Sequence, residues 1–563
     1  MDVVRRNDSV DDEADASDGS FLVCERWDKS YPDTRYSPAF LLPLVLGALE
    51  SGILKSNTET KNDNLGNSPK WKSTKVDPAS WNYNDSFVLI AQKLCSKGVI
   101  SLCLACLSSR CEKVRLVAVS ILGLLLRACN TSEARALSSW RERPQLAMLL
   151  NAVQRALVLK YISSRTLESQ TRVPILYPVV STFLAKASFS ISKPDDAMYV
   201  PLNRYFLKTE ADHGAFQDMG RLPGFISLFC SSSDDIGQTR KERIWALQLL
   251  RDGFLDANCY RLVASCHAPE LILTSFENVR LLQYSDDMKG VEYTLLLETM
   301  KVLLDYGGSR AALHLLGRLG LLSWMRSLIT SRPIAEIFPT VKPRVSFCEL
   351  VSAAVRAASQ NERLRTEDLV HEVCALSQPV MNIYFERLET GKTTDATLIA
   401  AVCGALESLS IVLTVLVNEG LDFEETQPVG VSIHQCLEFL RLLPVAHRKR
   451  MVFSLSFLPV SFDKDSSAGE LCSMLLRYCQ GSTQHAVLQV LKRVASILRH
   501  FEGEVESEAL GILLASRCEF ISEKEGFDVW LECLALLTRN KSSEMNREEY
   551  VASEVLHSAS LKA

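Results

Sequence analysis

The sequence predicts an all-α fold, and three observations support that prediction. Apolar residues recur at intervals of three and four along nearly all of the chain after Pro38, which is the period of a helix that buries one face. Glycine (25) and proline (19) are both sparse among the 563 residues, which favours long helices over short strands joined by frequent turns. Apolar residues make up 47% of the chain and charged residues 23%, so the helices have enough apolar surface to build a large core.

Helical periodicity is clearest in three segments, residues 114–125, 487–498 and 527–534. In the first segment, Leu116 and Leu122 lie off the main apolar face, so this helix is expected to be buried on most sides. The sequence has no fixed repeat period and no tetratricopeptide or ankyrin signature. We therefore expect an α-solenoid of degenerate HEAT- or armadillo-like helical repeats, in which each helix pair buries its surface against its neighbours.

Two polar regions stand out in the N-terminal part of the chain. Residues 1–35 include an acidic run and no apolar core, so they are expected to form an acidic, largely disordered tail and not a signal peptide or membrane anchor. Residues 56–80 contain few apolar side chains and are expected to form an exposed loop. This loop interrupts the first predicted helical-repeat region, which spans residues 36–330.

Prolines mark the predicted boundary between the two halves of the chain. Pro333, Pro339 and Pro343 follow one another closely, and proline is disfavoured in helix interiors. Residues 331–345 are therefore predicted to be a Pro-rich break. Residues 346–563 are predicted to form a second helical-repeat region.

The charge balance argues against a protein that binds nucleic acid nonspecifically over its whole surface. The formal net charge is −5, whereas such binders carry a basic excess that neutralises phosphates. Any RNA contact must then come from a local patch. The densest one is the consecutive run of four basic residues His447, Arg448, Lys449 and Arg450, which is a candidate RNA or partner contact; the alternative is a solvated face of a helix or loop.

Two weaker basic groups are also present. In residues 240–243 a glutamate, Glu242, interrupts the run of basic side chains. Around Trp71, lysines lie in the predicted exposed loop, where the ring has the chemistry to stack on a base. Both groups are interpreted mainly as solvated surface.

No motif in the sequence indicates an enzyme active site, a cofactor or a metal centre. Gly391-Lys392-Thr393 matches only the end of a phosphate-binding loop, because Glu386 stands where the motif needs its first glycine. The nine histidines form no HExxH pair. The chain is therefore predicted not to be an enzyme and to need no cofactor; a catalytic triad of residues distant in sequence is the alternative that spacing leaves open.

The seventeen cysteines are expected to be reduced and buried, because most of them lie in apolar stretches without regular spacing. Cys103 and Cys106 have the two-residue spacing of a metal or redox pair. A structural zinc site would need two further ligands, usually a second close pair. We therefore predict that both thiols pack in a helix core.

Residues 398–417 form an apolar stretch as long as a membrane span. Glu407 lies near its middle, where a charge would cost about 2.5–3.5 kcal/mol in a bilayer. The flanks are also poor in the basic residues that anchor a span, with Lys392 on one side and Asn418 and Glu419 on the other. A buried helix is therefore predicted and no membrane partner is expected, with a membrane span as the alternative.

Several segments of the chain resemble one known family. The most specific block is Glu242–Phe254, which includes Arg243, Trp245 and the pair Asp252-Gly253. The other matching segments, in chain order, are residues 36–46, 143–146, 172–187, 199–207, 222–225 and 260–261. Together they resemble the C-terminal domain of the nucleolar pre-ribosomal-associated protein 1 family over about residues 36–279.

The resemblance implies a function in the nucleus and nucleolus. Members of this family are long helical-repeat scaffolds, without enzymatic activity, of an early large (60S) subunit precursor complex. They support the maturation of large-subunit rRNA and 5.8S rRNA beside other scaffold proteins and a DEAD-box RNA helicase. The family's long N-terminal helical region has no counterpart here, so the chain is expected to be a fragment, a truncated gene model or one of two separate chains.

The residues of the matching block have mainly structural interpretations. Four apolar side chains are core candidates on one helix: Trp245, Leu247, Leu249 and Leu250. Asp252-Gly253 suits the end of that helix, where glycine is able to adopt the left-handed conformation. Arg243 and Tyr260 are expected to make internal polar bonds, and partner contact is the alternative.

Three hypotheses for function follow. The first is a scaffold in large ribosomal subunit assembly, whose partners are other assembly factors and, locally, pre-rRNA. The second is a helical-repeat adaptor of an unrelated cytoplasmic or trafficking complex. The third is an enzyme with a dispersed site, which would require a deep pocket with convergent polar groups.

Overall fold

The structure is a computed structural model, and it describes the chain in nine segments and a few shorter pieces. The segments are residues 37–59, 85–131, 140–163, 173–211, 224–230, 236–281, 285–389, 395–418 and 431–444, followed by short pieces between 447 and 533. The predicted acidic tail lies outside the described residues. The first helix, Pro38–Glu59, includes residues 56–59 of the predicted loop. The rest of that loop, residues 60–80, also lies outside the described residues.

The described residues confirm the all-α prediction. Besides helices and their connections they contain two strands of two residues each, Val431–Ser432 and Val460–Ser461, which pair in parallel. The chain forms two compact units, Met1–Ala268 and Pro269–Ala563. Each unit is described by itself below.

The first unit is built from ten helices in its described part. They are α1 (Pro38–Glu59), α2 (Asp85–Ser96), α3 (Val99–Cys106), α4 (Glu112–Asn130), α5 (Arg143–Ser163), α6 (Pro178–Ser190), α7 (Tyr199–Ala211), α8 (Phe225–Phe229), α9 (Ile236–Gly253) and α10 (Asn258–Ser265). Two helices follow a glycine with positive φ, Gly98 (83°) before α3 and Gly224 (68°) before α8. Glycine adopts this backbone conformation without the strain that a Cβ atom brings.

Helix α6 is the central helix of the first unit and packs on both α3 and α9. Every residue from Val179 to Ala185 is buried, so this part of the helix is covered on all sides. Its buried polar groups therefore need partners inside the protein. The Ser181 hydroxyl donates to the carbonyl oxygen of Leu104 at 2.9 Å, and the hydroxyl oxygens of Ser188 and Ser101 lie 2.8 Å apart.

Arg115 ties the start of α4 to the segment that leads into α6. Its guanidinium donates to the carbonyl oxygens of Val173 (3.0 Å), Ser109 (2.7 Å) and Arg110 (2.9 Å), and the residue is only 5% exposed. Burial lowers the pKa of Arg115 from its ordinary value. The three hydrogen bonds offset the cost of taking this charge out of water.

Helix α4 has the predicted helical periodicity but is less buried than expected. Leu122 is buried, whereas Leu116 is 43% exposed. Helix α4 packs on α1, α2, α3 and α5, and these four neighbours leave one strip of its surface uncovered. The expectation that Leu116 is buried is therefore wrong.

Helices α11 to α18 follow. They are α11 (Ala268–Leu281), α12 (Asp286–Ala312), α13 (Leu321–Thr330), α14 (Ile334–Ile337), α15 (Val341–Ser359), α16 (Glu367–Glu389), α17 (Ala396–Asn418) and α18 (Ile433–Leu442). A π-helix, Leu313–Arg318, continues α12, and a 3-10 helix, Glu362–Leu364, separates α15 from α16. Gly308 interrupts the helical backbone within α12 with φ 63° and ψ −163°.

The second unit contains a row of three long helices, since α15 packs on both α12 and α17. Helix α13 packs on α16, and α16 in turn packs on α17. Eleven of the nineteen residues of α15 are buried, including Phe347 and Val351, as expected for a helix with neighbours on two sides.

The chain divides into units at Ala268 and Pro269, and the Pro-rich segment predicted as a break, residues 331–345, lies within the second unit. Its prolines occupy positions that need no backbone N–H. Pro333 immediately precedes α14, and Pro343 is the third residue of α15. The segment forms short connections between α13 and α15.

Helix α17 corresponds to the apolar stretch at residues 398–417. It is long and apolar enough to cross a membrane, as α2 and α3 would be if they were counted as one bent segment. In the second unit 56% of the apolar window of α17 is buried, and the helix packs on α15 and α16. This packing supports the interpretation of α17 as a core helix.

We expect the substitution Arg115→Leu to lower the free energy of unfolding of the first unit by about 3 kcal/mol or more, because three carbonyl oxygens lose a charged donor. The measurement is the urea midpoint followed by circular dichroism. Arg110→Ala is the matched control, since the Arg110 side chain is exposed and only its carbonyl oxygen binds Arg115. Equal midpoints for the two variants would contradict the role of Arg115.

Candidate interaction site around helices α6 and α9

The contact between α6 and α9 brings together two of the segments on which the family resemblance rests, residues 172–187 and the block Glu242–Phe254. Phe183 of α6 meets Trp245 of α9 with ring centroids 5.8 Å apart in an edge-to-face arrangement. The same Phe183 ring meets Tyr205 of α7 edge-on at 5.7 Å and Phe206 at 6.2 Å. Such aromatic pairs add about 0.5–1.5 kcal/mol each beyond the area they bury.

Packing, and not backbone conformation, is what requires a glycine at position 253. It ends α9, as predicted, but it is not among the described glycines with positive φ, so the predicted left-handed conformation is wrong. A Cβ atom at Gly253 would lie 3.0 Å from both Val179 Cα and Thr182 Cβ. The glycine is required because α6 approaches the end of α9 closely.

Asp252 links the same two helices by charge. Its carboxylate accepts from Lys186 Nζ of α6 at 2.6 Å and from Arg251 Nε at 3.0 Å. These side chains are between 23% and 35% exposed, so solvent weakens the ion pairs. Asp252 therefore adds orientation to a contact that apolar packing already makes.

The matched residues of the block lie mostly in the core. Leu247, Leu249 and Leu250 are fully buried, whereas Trp245 is partly exposed. Tyr260, on α10, is 1% exposed, and its ring contacts Phe254 edge-to-face at 6.3 Å. Tyr260 thus has an internal role.

Arg243 lies at the edge of the same cluster. It is partly buried and lies close enough to Cys230, the residue after α8, to oppose the rise that burial causes in the pKa of that thiol. Nearby, Glu242 is 6% exposed and accepts from Gln238 Nε2 at 3.1 Å. Residues 240–243 were predicted from the sequence to be mainly solvated surface. Glu242 is buried, so that prediction is wrong at this position.

Two further matching segments reach the cluster. Gln145 of the segment 143–146 donates to the Tyr199 hydroxyl at 3.3 Å, at the start of α7. Burial raises the pKa of Tyr205 to about 12, while a hydrogen bond from the Gly224 backbone opposes this rise. Segments far apart in sequence therefore form one packed body around Phe183.

The predicted basic cluster lies elsewhere, after α18 in the second unit. Lys449 and Arg450 are outside the described residues. Arg448 is partly buried, and its guanidinium donates to the carbonyl oxygens of Leu443 and Arg441, both at 2.8 Å. Arg448 therefore caps the C-terminal end of α18, where a positive charge is favourable, in addition to any contact with a ligand.

The cysteine pair lies in the core of the first unit, as predicted. Cys103 and Cys106 are both buried in α3, and burial raises the pKa of the Cys103 thiol. Buried thiols of this kind are typical of core packing. Within the described part of the chain, no three His, Cys, Asp or Glu side chains are grouped to hold a metal ion.

The other sequence motifs fall outside the part of the chain that the structure describes. Gly391-Lys392-Thr393 lies between α16 and α17, so a helix precedes it and not the strand that a phosphate-binding loop follows. Trp71 and its lysines also lie outside the described residues.

Comparison with known proteins confirms the resemblance. The family model of nucleolar pre-ribosomal-associated protein 1 matches residues 100–324, an interval that includes α3 to α12 and α6 with α9 at its centre. The segment 36–46, which the sequence assigned to the resemblance, lies outside this interval. No solved structure matches the chain.

Two curated relatives bear the same name as the family. The mouse (Mus musculus) nucleolar pre-ribosomal-associated protein 1 is 28% identical over 246 residues, which are 44% of this chain and 9% of the mouse protein. The human (Homo sapiens) protein is 28% identical over 192 residues, 34% of this chain and 7% of the human protein. The chain thus spans less than a tenth of the length of the relatives it matches.

The packing of Gly253 predicts opposite effects of alanine at two helical glycines. Gly253→Ala should lower the free energy of unfolding by about 1–3 kcal/mol, because the new methyl group overlaps the backbone of α6. Gly123→Ala should raise it by about 0.5–1 kcal/mol, since no atom of the described chain lies within 4 Å of a Cβ there. Urea midpoints followed by circular dichroism test both, and a stabilised Gly253→Ala variant would contradict the close approach.

Thiol burial predicts which cysteines react. At about pH 8, iodoacetamide should alkylate the exposed Cys111 in the native chain and leave Cys103 and Cys129 unmodified. Burial raises the pKa of Cys129 to about 12, so moderately alkaline pH should not unmask it. Peptide mass spectrometry locates the label, with the urea-unfolded chain as control. Rapid native labelling of Cys129 would show that this core opens.

Proposed function

We propose that the chain is a non-enzymatic scaffold that acts in the nucleolus during early assembly of the large (60S) ribosomal subunit. The match of residues 100–324 to the nucleolar pre-ribosomal-associated protein 1 family is the observation that carries this proposal. The relatives in mouse and human bear the same name. In this role the chain supports processing of large-subunit and 5.8S rRNA by holding other factors in place.

The packing of the helices supports a scaffold. In the first unit α6 packs between α3 and α9, and in the second α15 packs between α12 and α17. Rows of helices that bury their faces against their neighbours are typical of α-solenoids, so the proposed architecture is a solenoid of degenerate HEAT- or armadillo-like repeats. Solenoids offer extended surfaces to several partners at once.

The residues most similar to the family are consistent with a framework and not with chemistry. Tyr260 and Leu250 are buried, and Gly253 serves a helix contact. The proposed partners are other assembly scaffolds, a DEAD-box helicase and pre-rRNA. Their contacts are expected on the outer surface, with the basic cluster His447–Arg450 as one candidate.

A second candidate function is an adaptor in an unrelated cytoplasmic or trafficking complex. Stacked helices by themselves serve such a complex equally well. The family match favours ribosome assembly, because the matched interval, residues 100–324, contains both α6 and α9. The third hypothesis is an enzyme with a dispersed site. It predicts that the purified chain turns over a substrate.

The proposal is tested by expressing the tagged chain in cells and following its location and its RNA. We expect nucleolar fluorescence and co-sedimentation with large-subunit precursor particles, from which 5.8S precursor RNA is recovered. Gly253→Ala with Asp252→Lys, which weakens the α6–α9 contact, should reduce recovery. Gly123→Ala is the matched control and should not. A chain that stays in the cytoplasm and recovers no large-subunit precursor RNA would favour the adaptor.

A further inference from the structure

A group of arginines lies where four elements of the second unit meet. Its members are spread over α12, the π-helix, α15, and the turn that contains the 3-10 helix: Arg310, Arg318, Arg356, Arg363 and Arg365. We call them the arginine surface. The sequence spreads them over more than fifty residues, so no basic run reveals them.

Two contacts bring the elements together. Asn361 Nδ2 donates to Ser309 Oγ at 3.0 Å, which places the 3-10 helix beside the residue before Arg310. A Cβ atom at Gly317 would lie 3.2 Å from Leu364 Cδ2, so the end of the π-helix adjoins the same turn. Arg318 and Arg363 are the next residues to Gly317 and Leu364.

The two remaining arginines have structural bonds and still present charge. Arg356 Nη2 lies 3.8 Å from Asp305 Oδ1, a long ion pair, and its side chain is 58% exposed. Arg365 Nε donates to the carbonyl oxygen of Ser359 at 2.8 Å, which fixes the turn at the end of α15.

The other three arginines are available to bind a ligand. Arg310, Arg318 and Arg363 are exposed, and none of them makes an ion pair with a residue that the structure describes. Asp305 and Glu362 supply the carboxylates closest to them in sequence, and Arg356 already pairs with Asp305. The group therefore concentrates exposed positive charge on a chain whose formal net charge is −5.

The chemistry of the group favours phosphate over carboxylate partners. All five members are arginines, whose planar guanidinium binds phosphate oxygens in a bidentate manner and stacks on bases. They are distributed along neighbouring elements, as a backbone with regularly spaced charges requires. Tyr306, 41% exposed, lies four residues before Arg310 and offers a ring on which a base stacks.

We infer that the arginine surface binds the phosphate backbone of single-stranded RNA. This inference rests on the proposed function, because pre-ribosomal particles present RNA to the chain, and it names a site for that contact. It assigns Arg310, Arg318 and Arg363 as direct phosphate ligands. Arg356 and Arg365 position the elements and add charge.

The test is fluorescence anisotropy with the full chain and a labelled single-stranded RNA of about 20 nucleotides, long enough for several phosphate contacts. The triple variant Arg310→Ala, Arg318→Ala, Arg363→Ala should bind about 100-fold more weakly at about 0.1 M salt. Three lost phosphate contacts should also reduce the slope of log K against log salt by about 2.

The matched control removes three exposed basic residues elsewhere, Arg261, Arg332 and Lys342, and changes the net charge equally. It should bind RNA nearly as the unchanged chain does. If the triple variant fails to fold by circular dichroism, each single arginine variant should still reduce the salt slope by about 0.7. Unchanged affinity and slope in the arginine variants overturn the inference.

A poly-glutamate peptide distinguishes an acidic protein partner. Tighter binding of that peptide than of RNA would overturn the inference, as would the absence of RNA binding by the unchanged chain. The proposed function fails separately. If the chain binds RNA through these arginines but does not sediment with large-subunit precursors, the inference stands and the proposed function fails. If it sediments with the precursors but does not bind RNA through these arginines, the proposed function stands and the inference fails.

Discussion

The close packing of α6 against α3 and α9 is the constraint on which the first unit depends. A helix covered on all sides has no solvent to satisfy its polar groups, so its serines must find partners inside the protein. Ser181 and Ser188 do so across the contact with α3. On the other side Gly253 permits the approach of α9, and Phe183 fills the space among α7, α8 and α9. Packing alone therefore limits the size and polarity of the side chains at Ser181, Phe183, Ser188 and Gly253.

The sequence predicted the fold class because helical periodicity depends on local spacing alone. The helices α4 and α9 lie where the sequence pattern placed them, and the core leucines of α9 are buried. The left-handed conformation at Gly253 was wrong for a physical reason: both a helix cap and a close contact require glycine, and only the position of α6 distinguishes them. The exposure of Leu116 likewise depends on which neighbours α4 has, which periodicity does not encode.

The candidate sites likewise differ in whether their residues are contiguous in the sequence. The block Glu242–Phe254 was recognisable because its residues are contiguous, and its role in the α6–α9 contact then became clear from the structure. Arg448 belongs to a visible basic run, yet its guanidinium binds carbonyl oxygens of the preceding helix. The arginines near Gly317 and Asn361 had no sequence signal, since they are spread over residues 310–365, near the ends of helices and in a turn. Surfaces assembled from separate elements require knowledge of the packing.

The contact between α3 and α6 also affects how the chain emerges from the ribosome that makes it. Leu104 and Ser181, which are hydrogen-bonded across this contact, are 77 residues apart in sequence. At translation rates of about 5–20 residues per second, α6 is synthesised about 4–15 s after α3, whereas α2 and α4, which also pack on α3, are its immediate neighbours in sequence. Only the face of α3 that packs on α6 therefore stays uncovered until α6 has been synthesised.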